Sequence, residues 1–168
     1  KIGHANISLY TKRPWLRPED VGPDGRWSSD EAREACGQRG NEQLVRLWNS
    51  RVNNNDTTIH IGDFCCKGNE KGVPGVKTKA QSWEALLNGR IVHIEGNHDS
   101  TNGVRPCLKW AIMELGGYLC MLKHDPNHIP LVEDVSVILC GHVHEKWATR
   151  WVGGMLQINV GVDQHKYA

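Results

Sequence analysis

The apolar positions of this chain change their period along its length. Thr57 to Ile61, Arg90 to Ile94 and Val135 to Leu139 are short apolar runs, and each leads into a glycine-containing polar turn: Gly62-Asp63, Glu95-Gly96-Asn97 and Cys140-Gly141-His142. Runs of this length bounded by turn residues predict buried strands. Tyr118 to Lys123 and Met155 to Val160 predict two more. Elsewhere the spacing is helical. Ser28 to Asp30 precede Glu31 as a helix start, Leu44, Leu47 and Trp48 share a face, and Asn53-Asn54-Asn55 marks the stop. Ala80 to Leu87, closed by Asn88-Gly89, predicts a second helix, and Val104 to Leu115 a third. The Gly- and Lys-rich stretch from Lys67 to Lys79 reads as a loop. A strand, a helix and a strand in succession predict a right-handed crossover between parallel neighbours. The pattern as a whole predicts an α/β protein with one domain over residues 1–168.

Composition narrows the function classes. The 168 residues carry 20 basic and 19 acidic side chains, a formal charge of +1, with 39% hydrophobic and 23% charged positions. That is the profile of a globular domain with a full core. A balance near zero removes the general attraction on which a generic nucleic-acid or membrane-surface binder depends. No run approaches eighteen apolar residues, and Lys1, Lys12, Arg13 and Arg17 sit among polar residues at the start, which excludes a spanning helix and a signal peptide there. The cysteines, Cys36, Cys65, Cys66, Cys107, Cys120 and Cys140, include no pair spaced by two residues, so a thiolate zinc site is not expected. Scattered thiols in a chain of this size point to a reduced, cytoplasmic setting.

In open α/β sheets the loops at the carboxyl ends of the strands gather ligands. Those ends carry Asp63, Asn97, His98, Asp99, His124, Asp125, His142 and His144. Carboxylate, amide oxygen and imidazole suit Mn, Fe, Zn, Ni or Co, with manganese the first expectation. A carboxylate such as Asp63 can bridge two ions about 3.5–4 Å apart, a geometry used to hydrolyse phosphate esters. Each piece alone has an ordinary reading: His142 and His144 as surface imidazoles, Asn97-His98-Asp99 as a turn or helix cap, His124 as a satisfied surface histidine. Their recurrence at successive strand ends makes chance a poor account. His60 and His93 fall inside strands and are expected in the packed core or on a sheet face. His128, His165 and the seven dispersed tryptophans receive no role.

Gly62-Asp63, Gly96-Asn97-His98-Asp99, the lone His124 and Gly141-His142-Val143-His144 together resemble the calcineurin-like metallophosphoesterase superfamily in order and spacing. Gly3-His4-Ala5-Asn6-Ile7 with Arg13-Pro14, and Ile158 to Asp163, resemble the opening and closing segments of its small single-domain bacterial and phage members. The resemblance implies a four-layer αββα sandwich, two mixed β-sheets packed face to face with helices outside, and a dinuclear site. It implies that Asp63 bridges the ions, that Asn97, His124 and His142 bind one, and that His144 helps bind the other. A hydroxide between the ions would attack phosphorus while His98 protonates the leaving oxygen and Asp99 orients it. Lys67 has two readings, a phosphate contact and a solvated loop lysine, of which the second is the ordinary one. The superfamily's Asp-x-His pair on the first strand is missing, which places that strand before Lys1. Cys66 stands where the protein Ser/Thr phosphatase branch has an acidic residue, against membership in that branch. The expected partner is a phosphate-ester substrate, with nucleotides and nucleic acid inside that class; an inactive binding scaffold of the same fold is the alternative.

Overall fold

The structure, a computed structural model, describes residues 2–66, 79–105, 107–130 and 132–167. Helix α1 (Ala5–Thr11) is capped by His4, whose Nδ1 accepts from the Ile7 amide at 3.1 Å. Its seven residues gave no periodicity to read. Helix α2 (Asp30–Asn49) starts where the Ser29 hydroxyl accepts from the Ala32 amide, and packs Leu44, Val45 and Trp48 inward. Strand β1 (Thr57–Ile61), helix α3 (Lys79–Glu84) and strand β2 (Arg90–Ile94) follow, and β1 and β2 pair in parallel as the crossover pattern requires.

The expected helix over Val104 to Leu115 does not form. A short helix α4 (Asp99–Asn102) precedes strand β3 (Cys107–Leu108), and Ala111–Leu115 is strand β4. Gly116-Gly117, both at positive φ, close a tight hairpin from β4 into β5 (Tyr118–Leu122), whose pairing holds 111–115 extended. The apolar run before that turn therefore alternates between two faces instead of following a helical stripe. Strand β6 (Val137–Cys140) pairs in parallel with β5 and with β8 (Met155–Asn159). Strand β7 (Thr149–Val152), with no counterpart in the sequence reading, joins β8 through a second Gly-Gly hairpin turn.

Two sheets result, ordered β1-β2-β3 and β4-β5-β6-β8-β7 among the described residues. The first is parallel throughout and the second mixed. Strand alternation builds the layers. Ile59, Ile61 and Ile94 of the first sheet meet Met113, Cys120, Leu122, Val137 and Leu139 of the second, forming the buried seam between them. The opposite face of the first sheet lies under α2 and α3, with Trp83, Leu87 and Trp48 covering Ile91 and Phe64. On the far face of the second sheet, Met121, Ile138 and Cys140 lie beneath Ile129, Val132, Val135 and Trp147 from connecting segments. Ile2 forms a parallel bridge to Cys65, its amide donating to the Phe64 carbonyl and its carbonyl accepting from the Cys66 amide.

His60 and His93 occupy the helix-facing side of the first sheet, in keeping with the packed role expected of them. Their ring centroids are 5.8 Å apart, His60 meets Phe64 edge-on, and His93 Nε2 lies 3.0 Å from Glu84 Oε1. The buried Nδ1 of His60 has no hydrogen-bond partner among the described residues, and burial pushes its pKa down to about 3 from 6.5. The folded-state value lies below the unfolded one. Stability associated with this group is therefore complete above pH 6.5 and is lost as the pH falls, because the unfolded chain takes up a proton that the folded chain refuses until about 3. His60→Phe is expected to reduce the loss of unfolding free energy between pH 8 and pH 5 by about 2 kcal/mol, measured by urea titration at each pH. Equal losses in the two proteins would show that His60 titrates normally.

Candidate metal centre

Strands β1 and β2 of one sheet and β5, β6 and β8 of the other are each parallel within their sheet, and the loops following them carry the candidate residues. The backbone there is unusual. Asp63, His142 and His144 all adopt positive φ, at 58°, 65° and 47°. Each such residue costs on the order of 1 kcal/mol, a strain that clusters at functional sites. Gly96 explains how the β1 and β2 loops come so close: a Cβ there would stand 2.1 Å from the Asp63 nitrogen.

His124 is the buried centre of the group. Its Nδ1 donates to the Ile61 carbonyl, which can only accept, at 2.9 Å, and this directs Nε2 into the site. Around Nε2 stand Asn97 Oδ1 at 3.3 Å, His142 Nδ1 at 3.3 Å and Asp63 Oδ2 at 3.6 Å. The donor atoms of Asp63, His124 and His142 lie within 4.8 Å of one another. Two donors on one tetrahedral ion at about 2.0–2.1 Å stand about 3.4 Å apart, close to the 3.3–3.6 Å that separates His124 Nε2 from its three neighbours. Oxygen and imidazole donors without thiolate are the matching chemistry. Burial works against charge on His124, but Asp63 and the Ile61 carbonyl outweigh it and raise its pKa above the ordinary value. Burial, followed by the neighbouring His124, lowers that of His142. A proton on His124 Nε2 thus occupies the position a cation would take, and metal uptake would displace it.

Asn97, His98 and His142 are exposed, so the cluster opens to solvent. The His98 amide donates to Asp63 Oδ1 at 3.0 Å, while its ring makes no hydrogen bond among the described residues. Asp99 corrects the sequence reading. Its fully buried carboxylate does not orient His98; it accepts from the amides of Asp63 at 2.9 Å, Phe64 at 2.8 Å and Gly96 at 2.8 Å. It fastens the two loops together and thereby places Asp63. Asp99→Ala removes three charge-assisted bonds and leaves buried amides unpaired, with an expected loss of about 3 kcal/mol or more in denaturant unfolding. An unchanged midpoint would contradict the fastening role.

His144 stands outside the cluster formed by Asp63, His124 and His142. Its Nδ1 lies 3.1 Å from Asp163 Oδ2. Asp163 also receives Arg13 in a two-pronged ion pair and the hydroxyl of Tyr167. Burial opposes ionisation of Asp163, but these three donors hold its carboxyl well below the usual carboxylate range. Sequence reasoning gave Asp163 no role, since nothing local distinguishes it. Asp125 accepts from Asn127 and His128 on the surface. Lys67 lies outside the described residues.

The fold is an α/β sandwich that gathers Asp63, His124 and His142, a set of side chains that could hold a metal ion, at the carboxyl ends of its parallel strands. No family model matches the chain. It is 30% identical over 143 residues to an uncharacterised protein of Methanocaldococcus jannaschii, across 85% of this chain and 64% of that protein. The chain thus spans under two thirds of that relative's length. A crystal structure of a protein of unknown function from Aquifex aeolicus shares the fold with TM-score 0.57 and 19% identity, covering 99% of this chain and 88% of the other. Wild-type Vps29 of Entamoeba histolytica complexed with Zn²⁺ aligns at TM-score 0.40 and 18% identity, over 71% of this chain and 63% of that one. No helix among the described residues is long and apolar enough to cross a membrane.

Proposed function

We propose that the chain is a metal-dependent phosphoesterase of the calcineurin-like superfamily, acting on a phosphomonoester or phosphodiester, with nucleotides in that class. The observation that carries this reading is the convergence of Asp63, Asn97 and His142 on His124 Nε2 within 3.6 Å, at a solvent-open edge. Two divalent ions, manganese the first candidate, would supply charge stabilisation of the phosphoryl oxygens and lower the pKa of water.

Asn97, His124 and His142 would hold one ion, Asp63 would reach both, and His144 would serve the second. Asp99 keeps Asp63 at the meeting point of the loops, and the His98 amide steadies its other oxygen. The solvent-facing His98 ring is free to turn toward a bound ester and deliver a proton to the leaving oxygen.

The test is elemental analysis of the purified full-length protein together with hydrolysis of bis-p-nitrophenyl phosphate and p-nitrophenyl phosphate in manganese. Close to two metals per chain with turnover supports the reading, and the better ester indicates diester or monoester chemistry. Metal without turnover on either ester would favour the binding scaffold, and neither metal nor turnover would overturn the site itself.

A further inference from the structure

His144 is held from two directions by the end of β8 and the segment after it. Its carbonyl accepts from Asn159 Nδ2 and from Gln164 Nε2 at 3.2 Å, while Asn159 Oδ1 in turn accepts from the Gly161 amide. Its ring meets Asp163. That carboxylate is an anchored group: the Arg13 and Asp163 side chains are only 2% and 6% exposed, and the guanidinium also lies 5.4 Å from the Trp15 ring centre and 5.8 Å from that of Tyr167. Trp15 and Tyr167 themselves pack with centroids 4.9 Å apart. Arg13, from the loop after α1, thus holds Asp163 in place from the other end of the chain. With Arg13 and Tyr167 donating to it, the carboxylate is ionised and can only accept, so the hydrogen on the His144 ring must sit on Nδ1.

We propose that Asp163 is a positioning residue for His144: gripped by Arg13 and Tyr167, it fixes the Nδ1–H tautomer and leaves the Nε2 lone pair as the nitrogen offered to a divalent cation. Carboxylates in this position commonly set both the tautomer and the angle of a metal-binding imidazole. The tautomer claim stands on the metal-free chain, while its use by a cation rests on the function proposed above.

The experiment records two-bond ¹H–¹⁵N correlations of the metal-free protein, with the His144 signals assigned by their loss in His144→Gln. The wild-type chain is expected to show His144 as the Nδ1–H form. In Asp163→Asn, Arg13 Nε and the Tyr167 hydroxyl claim the amide oxygen at the Oδ1 position, Arg13 Nη2 loses its acceptor, the amide NH₂ takes the Oδ2 position facing the ring, and the imidazole is expected to switch to the Nε2–H form. Tyr167→Phe, which removes one donor to Asp163 and keeps the carboxylate, is expected to leave the tautomer unchanged. A wild-type His144 in the Nε2–H form overturns the proposal even if no variant folds, as does a folded Asp163→Asn protein whose tautomer matches wild type. Zinc titration supplies the second readout: Asp163→Asn is expected to weaken the second equivalent by about 10- to 100-fold, with no further loss on adding His144→Gln. A tautomer switch in a protein that binds no zinc would leave the Asp163 assignment standing and reject the metal reading.

Discussion

Replacement of Asp63 by asparagine is expected to lower metal affinity by at least about 100-fold and to abolish ester hydrolysis while the chain stays folded. The effect is larger than that of an outer-sphere change, which typically costs 10–100-fold, because a negative donor shared by the whole cluster is lost. Asparagine is the informative substitution. It matches the shape of the side chain, and it tolerates the left-handed backbone at φ 58° better than alanine would. It also keeps an oxygen able to accept from the His98 amide, and leaves the amide bond from residue 63 to Asp99 in place. Loss of fold is therefore not the expected cause of lost metal. Metal content by elemental analysis and unfolding by circular dichroism separate the two, and a variant that retained both ions would remove Asp63 from the site.

His98→Ala is expected to reduce turnover by about 10²–10⁴-fold with metal content unchanged, the range typical of removing a general acid. The exposed ring has no hydrogen bond to lose among the described residues, and the backbone amide that contacts Asp63 is kept. Stability should barely move. A proton donor matters most when the leaving oxygen is basic, so the deficit should be large for an alkyl ester and small for a nitrophenyl ester. Equal deficits on both would assign His98 to substrate binding instead, and loss of metal would make it a ligand.

Much of the site could be located before any coordinates. Asp63, Asn97, His124 and His142 lie in turns that end short apolar runs, and turn chemistry is written within a few residues; the structure brings these four together. For the same reason β1 and β2 begin and end where the pattern puts them. The reading failed where two periods compete. Val104 to Leu115 contains apolar residues at helical intervals, and only the hairpin pairing of β4 with β5 turns them into a strand. Asp99 shows a different failure. A carboxylate after Asn97-His98 looks like a partner for the imidazole beside it, yet two of its three amide donors come from residues 35 and 36 positions away.

The bounds of β1 and β2, the start of α2 and the residue types of the donor set were determined by the sequence alone, because periodicity, turn preference and ligand chemistry are local properties. Which donors face one another, what Asp99 fastens, and the joining of Arg13 to Asp163 across 150 positions were decided by tertiary structure. Hydrogen bonds and ion pairs depend on distances of a few ångströms between side chains, and those distances are set only when the two sheets pack and their loops close.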